Sequence, residues 1–150
     1  MNRFMKEAIK EAYKGINAGH GGPFGSVIVK DGKIIARGHN HVVSNNDPTC
    51  HGEIDAIRKA CKKLKTFDLT GCDLYTTAEP CIQCLGAILW ANINKVYYGC
   101  TVKDTDSIGF RDDMFDKNIK DLRANVQEPF MRKECLELFD DYSKKEHTLY

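Results

Sequence analysis

The chain has no apolar run long enough for a membrane-spanning helix, and its opening, Met1-Asn2-Arg3-Phe4-Met5-Lys6-Glu7, has none of the apolar core of a signal peptide. It also has almost no net charge. The balance is +1, from 22 Lys and Arg against 21 Asp and Glu. That near-neutrality hides an asymmetry: residues 1–65 carry 12 basic against 6 acidic side chains, and residues 66–150 carry 10 against 15. A basic half could meet nucleic acid, but there is no Lys/Arg-rich tail and no aromatic-interleaved basic stripe. Lys59, Lys62, Lys63 and Lys65 read instead as a solvated helix face. Internal repeats and low-complexity segments are absent too, so the 150 residues are expected to form a single domain. Seven cysteines are too odd a number for a complete disulfide framework. Cys50, Cys61, Cys72, Cys100 and Cys135 are read as reduced and mostly buried, which predicts a cytoplasmic location.

Two short stretches carry the chemistry that is present. Cys50-His51-Gly52-Glu53 contains a His-x-Glu, and Pro80-Cys81-Ile82-Gln83-Cys84 is a Pro-Cys-x-x-Cys. Together they form the signature of the zinc-dependent deaminases. The physical reading is direct. A catalytic zinc takes three protein ligands and keeps a fourth position for water. His51, Cys81 and Cys84 supply one imidazole and two thiolates. Glu53, two residues from the imidazole, can stand beside the water without binding the metal and carry its proton. A lone Cys-x-x-Cys is often half of a structural zinc site, but no second Cys/His pair is spaced to complete one here. Ile54, Ile57, Cys61 and Leu64 follow the first stretch at helical spacing, and Leu85, Ile88 and Leu89 follow the second. Both ligand groups therefore open helices, where the dipole favours thiolate.

The remaining pattern alternates. Residues 2–17 are predicted to form an amphipathic helix with Met5, Ala8, Ile9, Ala12 and Ile16 on its buried face, stopped by Gly19, Gly21 and Gly22. Runs from Phe24 to Lys30 and Lys33 to Arg37 flank Asp31-Gly32, the strongest short hairpin signal. Gly38 to Thr49 reads as a loop. Strands are predicted at Asp73–Thr77 and Lys95–Cys100. The order β-β-α-β-α-β implies a three-layer α/β/α sandwich with a mixed sheet, with its site at strand ends. Residues 104–128 predict only short helical pieces, while 129–145 regain helical spacing through Met131, Cys135, Leu138, Phe139 and Tyr142.

Over nearly its whole length the sequence resembles the cytidine-deaminase-like superfamily, and within it the bacterial guanine deaminases. The stretches that carry the closer likeness are Asn17-Ala18-Gly19, Gly21-Gly22-Pro23-Phe24-Gly25, Val27 to Gly32, Asn46-Asp47-Pro48-Thr49, Ala56 to Cys61, Leu85-Gly86-Ala87-Ile88 and the terminal Tyr150. The resemblance implies hydrolysis of guanine to xanthine and ammonia, with Zn2+ as cofactor and Glu53 moving protons. It implies that Asn40 reads the base, that Phe24 and Trp90 line the pocket, and that Gly52 lets backbone approach the substrate. It further implies a second proton carrier at Asp112, or at Asp113 if the register slips by one, and closure of the pocket by Tyr150. A homodimer follows from the same likeness, and exchange of residues of about 129–150 between subunits is left open by the sequence.

Some residues depart from that family. Ile82-Gln83 replaces the Pro-Met common between the cysteines. His39 and His41 around Asn40, together with His51-Gly52-Glu53, resemble fungal cytosine deaminase. Cytosine or another small base, and the adenosine of a tRNA, remain open as substrates. Residues 125–150 carry 4 basic against 6 acidic side chains, a poor surface for phosphate. A catalytically dead zinc module that serves only for binding is disfavoured by Glu53, which such a site would not need.

Overall fold

The computed structural model describes residues 2–126 and 129–150. Helix α1 (Arg3–Asn17) begins at Asn2, whose side-chain oxygen accepts the N–H groups of Phe4 and Met5. Its buried face is Ala8, Glu11, Ala12 and Gly15. The apolar stripe expected through Ile9 and Ile16 is displaced, and both isoleucines are exposed. The cause is close packing. A Cβ on Gly25 would lie 2.1 Å from the carbonyl oxygen of Ala8 and 2.4 Å from the nitrogen of Ala12, so α1 comes closest to the sheet at its small residues Ala8 and Ala12.

Strands β1 (Gly25–Lys30) and β2 (Lys33–His39) pair antiparallel through the expected turn. Asp31 and Gly32 have φ of +49° and +70°, the mirror-image turn whose twist matches the strands. Where a loop was expected, β2 continues to His39 and a short helix α2 (Val42–Asn45) follows. Next come α3 (Gly52–Leu64), β3 (Cys72–Ala78), α4 (Ile82–Trp90) and β4 (Lys95–Cys100). The strand order is β2-β1-β3-β4, with β1 antiparallel to both neighbours and β3 parallel to β4. Alternation along β1 feeds two cores. Val27 and Val29 join Ala8 and Tyr75 under α1, while Ile28 joins Leu74, Ala56, Ala60 and Ile88 under α3 and α4. This is the α/β/α sandwich with a mixed sheet that the element order predicts.

Helix α5 (Val102–Ser107) has a capping box in which Thr101 and Asp104 satisfy each other's backbone N–H groups. Beyond it the expectation of short helical pieces is corrected: α6 (Asp112–Ala124) runs for 13 residues. Its apolar positions Phe115, Ile119 and Leu122 keep helical spacing but are diluted by charge, which hides the period. Helix α7 (Arg132–Ser143) buries none of its residues. The chain divides into two compact units, residues 1–113 and 114–150. Cys50 and Cys72 are buried as expected and Cys61 is half-buried, but Cys100 and Cys135 are exposed. No described helix is long and apolar enough to cross a membrane.

Candidate metal centre and active site

Two helix starts meet at the end of β3. His51 is the N-cap of α3, with extended backbone (φ −71°, ψ 162°), and Cys81 is the N-cap of α4 (φ −69°, ψ 170°). Cys84 stands one turn into α4, so the Cys-x-x-Cys spacing turns both sulfurs to one side. Gln83, whose place between the cysteines departs from the usual residue, donates from Nε2 to the carbonyl of Thr49 at 3.0 Å and ties the two ligand segments together. Nothing in its local pattern announces that bond.

The Nδ1 of His51 lies 3.5 Å from the Sγ of Cys81 and 3.5 Å from the Sγ of Cys84. An imidazole nitrogen about 2.0 Å and a thiolate about 2.3 Å from one tetrahedral zinc stand about 3.5 Å apart. The spacing therefore fits the ion, and so does the donor set, since one imidazole and two sulfurs are ligands zinc selects.

The protons of the cluster are unevenly held. Hydrogen bonds from Cys84 and His51 pull the Cys81 thiol down to about 4. Cys84, which donates to Cys81 and is also buried, is pushed well above the ordinary thiol range. Its partner Cys81 holds the His51 imidazole above its usual value, and the Asp112 carboxylate is among the groups that act the same way. Glu53 is buried, and burial pushes its carboxyl up, followed by the charge of Cys81. The Cys84 thiol also meets this carboxyl through a hydrogen bond. Glu53 thus faces the cluster.

The other residues singled out in the sequence fall in several places. Asn40 is buried, and its Oδ1 accepts the N–H of Val42 at 3.0 Å, while its own N–H donates to the carbonyl of Phe24 at 2.9 Å. Phe24 meets Phe110 edge to face with ring centroids 4.7 Å apart. Gly109-Phe110 stands out in the sequence and belongs to the likeness to the guanine deaminases, but the contact of Phe110 with Phe24 is seen only in the structure. Gly52 is buried where a Cβ would stand 2.8 Å from the carbonyl oxygen of Phe24, so its lack of a side chain lets α3 start against β1. Trp90 is not brought to the ligands. It ends α4, about 13 Å along the helix from Cys81 at 1.5 Å per residue, and is 67% exposed. Tyr150 lies in the second unit and is 78% exposed.

Residues 1–100 match the family described as the cytidine and deoxycytidylate deaminase zinc-binding region. A guanine deaminase of Bacillus subtilis (strain 168) is 53% identical over 116 residues, 77% of this chain and 74% of its own length. A tRNA-specific adenosine deaminase of Aquifex aeolicus (strain VF5) is 37% identical over 142 residues, 95% of this chain and 93% of its own. The crystal structure of guanine deaminase from Bacillus subtilis superposes with a TM-score of 0.88 at 42% identity, covering 100% of this chain and 99% of that one. With a metal-binding triad of the right spacing, a buried glutamate against it and a family match over two thirds of its length, the chain belongs to the cytidine and deoxycytidylate deaminase family of zinc-dependent deaminases.

Proposed function

We propose that the protein hydrolyses guanine to xanthine and ammonia. The observation that carries this reading is the pairing of the His51, Cys81 and Cys84 triad with the buried Glu53, in a chain 53% identical to a guanine deaminase. The three ligands would hold the ion. Zinc held there lowers the pKa of a water in its open position and so makes a nucleophile available near neutral pH.

The protein's own groups do the rest. Glu53 takes a proton from the attacking water and delivers it to N3 of the purine as the new C2–O bond forms. It then takes the remaining proton from the new C2 hydroxyl and passes it to the exocyclic nitrogen, so that the C2 carbonyl forms as the exocyclic C2–N bond breaks and ammonia leaves. A carboxyl whose proton affinity is raised by burial suits both tasks, since it accepts readily and still gives the proton back. Asp112, whose charge reaches His51, assists the departing amine. Asn40 orients the base. Its Oδ1 accepts from Val42 and keeps a second lone pair, so its amide can both donate to and accept from the mixed edge of the purine. Phe24, buttressed by Phe110, forms an apolar wall. A purine edge left unpaired in such a site would cost about 1–3 kcal/mol per group.

The active form is a homodimer whose residues of about 129–150 are exchanged, so that Tyr150 closes the partner's pocket. The single catalytic domain then comprises residues 1–150 with that segment supplied across the interface. A cytoplasmic location accords with ligand thiols that must stay reduced.

Ammonia release measured over guanine, cytosine, adenine and ammeline tests the substrate. Turnover of guanine above the other three is expected, and its absence overturns the reading. The likeness to the Aquifex aeolicus tRNA-specific adenosine deaminase favours a second reading. Salt-sensitive retention of a tRNA anticodon arm in a gel shift, with adenosine-to-inosine conversion and no guanine turnover, would establish it.

A further inference from the structure

The three imidazoles of His20, His39 and His41 form a cluster that the deamination chemistry does not use. Their ligand nitrogens all lie within 4.8 Å of one another. His20 Nδ1 and His39 Nε2 are 2.8 Å apart, and the three rings stack at centroid distances of 4.2–5.1 Å. Two imidazole nitrogens bound to one tetrahedral ion stand about 3.3 Å apart. That spacing falls inside the range observed.

We infer that His20, His39 and His41 form a second cation site, for a borderline divalent transition metal such as Zn2+ or Co2+, separate from the cysteine-containing centre. Four observations support it. First, the cluster is supported from outside as metal-binding histidines are. Glu11 Oε2 accepts from His39 Nδ1 at 3.0 Å, so the Nε2 of that ring accepts the 2.8 Å hydrogen bond from His20 Nδ1, and an ion would take the place of that shared proton. Ser44 Oγ lies 3.2 Å from His41 Nδ1, and the Nε2 of that ring faces Asp55 Oδ2 at 3.6 Å.

Second, the chain gives up helix stability to seat the ring of His39. Gly15 lies inside α1, where glycine costs about 1 kcal/mol relative to alanine. A Cβ at that position would stand 2.7 Å from His39 Cδ2. Third, the backbone holds His20 and His41 in place. The carbonyl of His20 accepts the N–H groups of Val43 and Ser44, both at 3.0 Å, and the N–H of His41 donates to Cys50 at 2.9 Å.

Fourth, the electrostatics favour a cation other than protons. Three imidazolium charges at this separation would repel. Two carboxylates flank the stack, Glu11 on His39 and Asp55 at 3.6 Å from His41 Nε2. Lys59 and Lys14 also face these carboxylates, at 2.6 Å from Asp55 and 3.7 Å from Glu11. Neutral imidazole is the ligand a metal takes, and burial with the neighbouring His39 lowers the proton affinity of His41. An ion here would join the loop after α1 to the start of α2, on either side of Asn40.

Metal stoichiometry tests the proposal with the full-length protein. Elemental analysis after loading with Zn2+ is expected to give two equivalents per chain. His20→Gln and His41→Gln should each lower this to one. With Co2+, one equivalent should produce the near-ultraviolet sulfur-to-cobalt band of the cysteine centre, and a second should add visible bands without it. The second set alone should vanish in the histidine variants, whose retained sulfur band also reports correct folding. A wild-type chain that binds a single equivalent overturns the proposal. So does a second equivalent that survives both substitutions. Failure of the catalytic centre is a distinct outcome, because it would remove the sulfur band instead.

Discussion

Glu53 and its neighbours show how much of a site one residue can decide. A carboxyl pressed against Cys84 carries protons only if it can ionise, and an amide of the same shape cannot. Glu53→Gln is expected to bind zinc normally and lose about 10²–10⁴-fold in turnover, checked by metal content and ammonia release on the same preparation. The ligands predict a pH dependence of metal affinity whose sign can be worked out. Cys81 is already ionised above about pH 4, whereas His51 holds its proton to above its ordinary 6.5 and Cys84 to still higher pH. Between about pH 4 and 6.5 zinc must therefore displace two protons, one from His51 and one from Cys84. Affinity should rise about 100-fold per pH unit there and about tenfold per unit above the His51 pKa. Competition against a chelator of known proton affinity measures the slope. A flat profile would refute this account of the three ligands. The two cysteines were legible in the sequence because their geometry is local, a Cys-x-x-Cys at a helix start turning its sulfurs one way, whereas His51, on another helix, was legible only through the signature it forms with them. The reason for Gly52 was not legible, since it lies in the carbonyl of Phe24, 28 residues upstream and on another element.

Elements were readable where their signal is internal to them. The Asp31-Gly32 turn announces the hairpin, and its two positive φ angles bear this out. Helices α3 and α4 follow from apolar spacing after the ligand motifs. Helix α1 lies where expected, with Ala8 and Ala12 buried, but Ile9 and Ile16 are exposed because its buried side is decided by the close approach of β1 and not by hydrophobicity alone. That approach yields a test. In Gly25→Ala the new methyl group would press on the backbone of Ala8 and Ala12, atoms that cannot rotate away as a side chain does. A loss of about 1–3 kcal/mol is expected, read as a lowered urea midpoint with an unchanged slope. Ile28→Ala belongs to the same sheet and the opposite core. It should cost about 2–5 kcal/mol through the cavity left beneath α3 and α4. An unchanged midpoint in either variant would contradict the two-faced packing of β1. Helix α6 escaped the sequence reading because charged residues interrupt its apolar positions, and propensity alone does not set its length.

For the molecule as a whole, the second unit poses the question. Residues 114–150 include Leu138 and Phe139 at 64% and 67% exposure, and α7 buries nothing. An apolar face of that kind is covered in a stable protein, and a second copy of the chain can cover it in both directions at once. If the segment that ends in Tyr150 is exchanged, each active site combines Glu53 of one subunit with Tyr150 of the other. Two defective chains can then repair each other. Glu53→Gln and Tyr150→Ala variants, each poorly active alone, would form heterodimers when co-expressed. One of the two sites in such a heterodimer pairs an intact Glu53 with an intact Tyr150, and the other has lost both. Random assembly makes half of the dimers mixed, so activity should return to about one quarter of the native level. Without exchange, every site keeps one defect and mixing restores nothing. Light scattering on the native chain must also give the mass of a dimer, for a fully active monomer would exclude the arrangement whatever the mixing experiment returned.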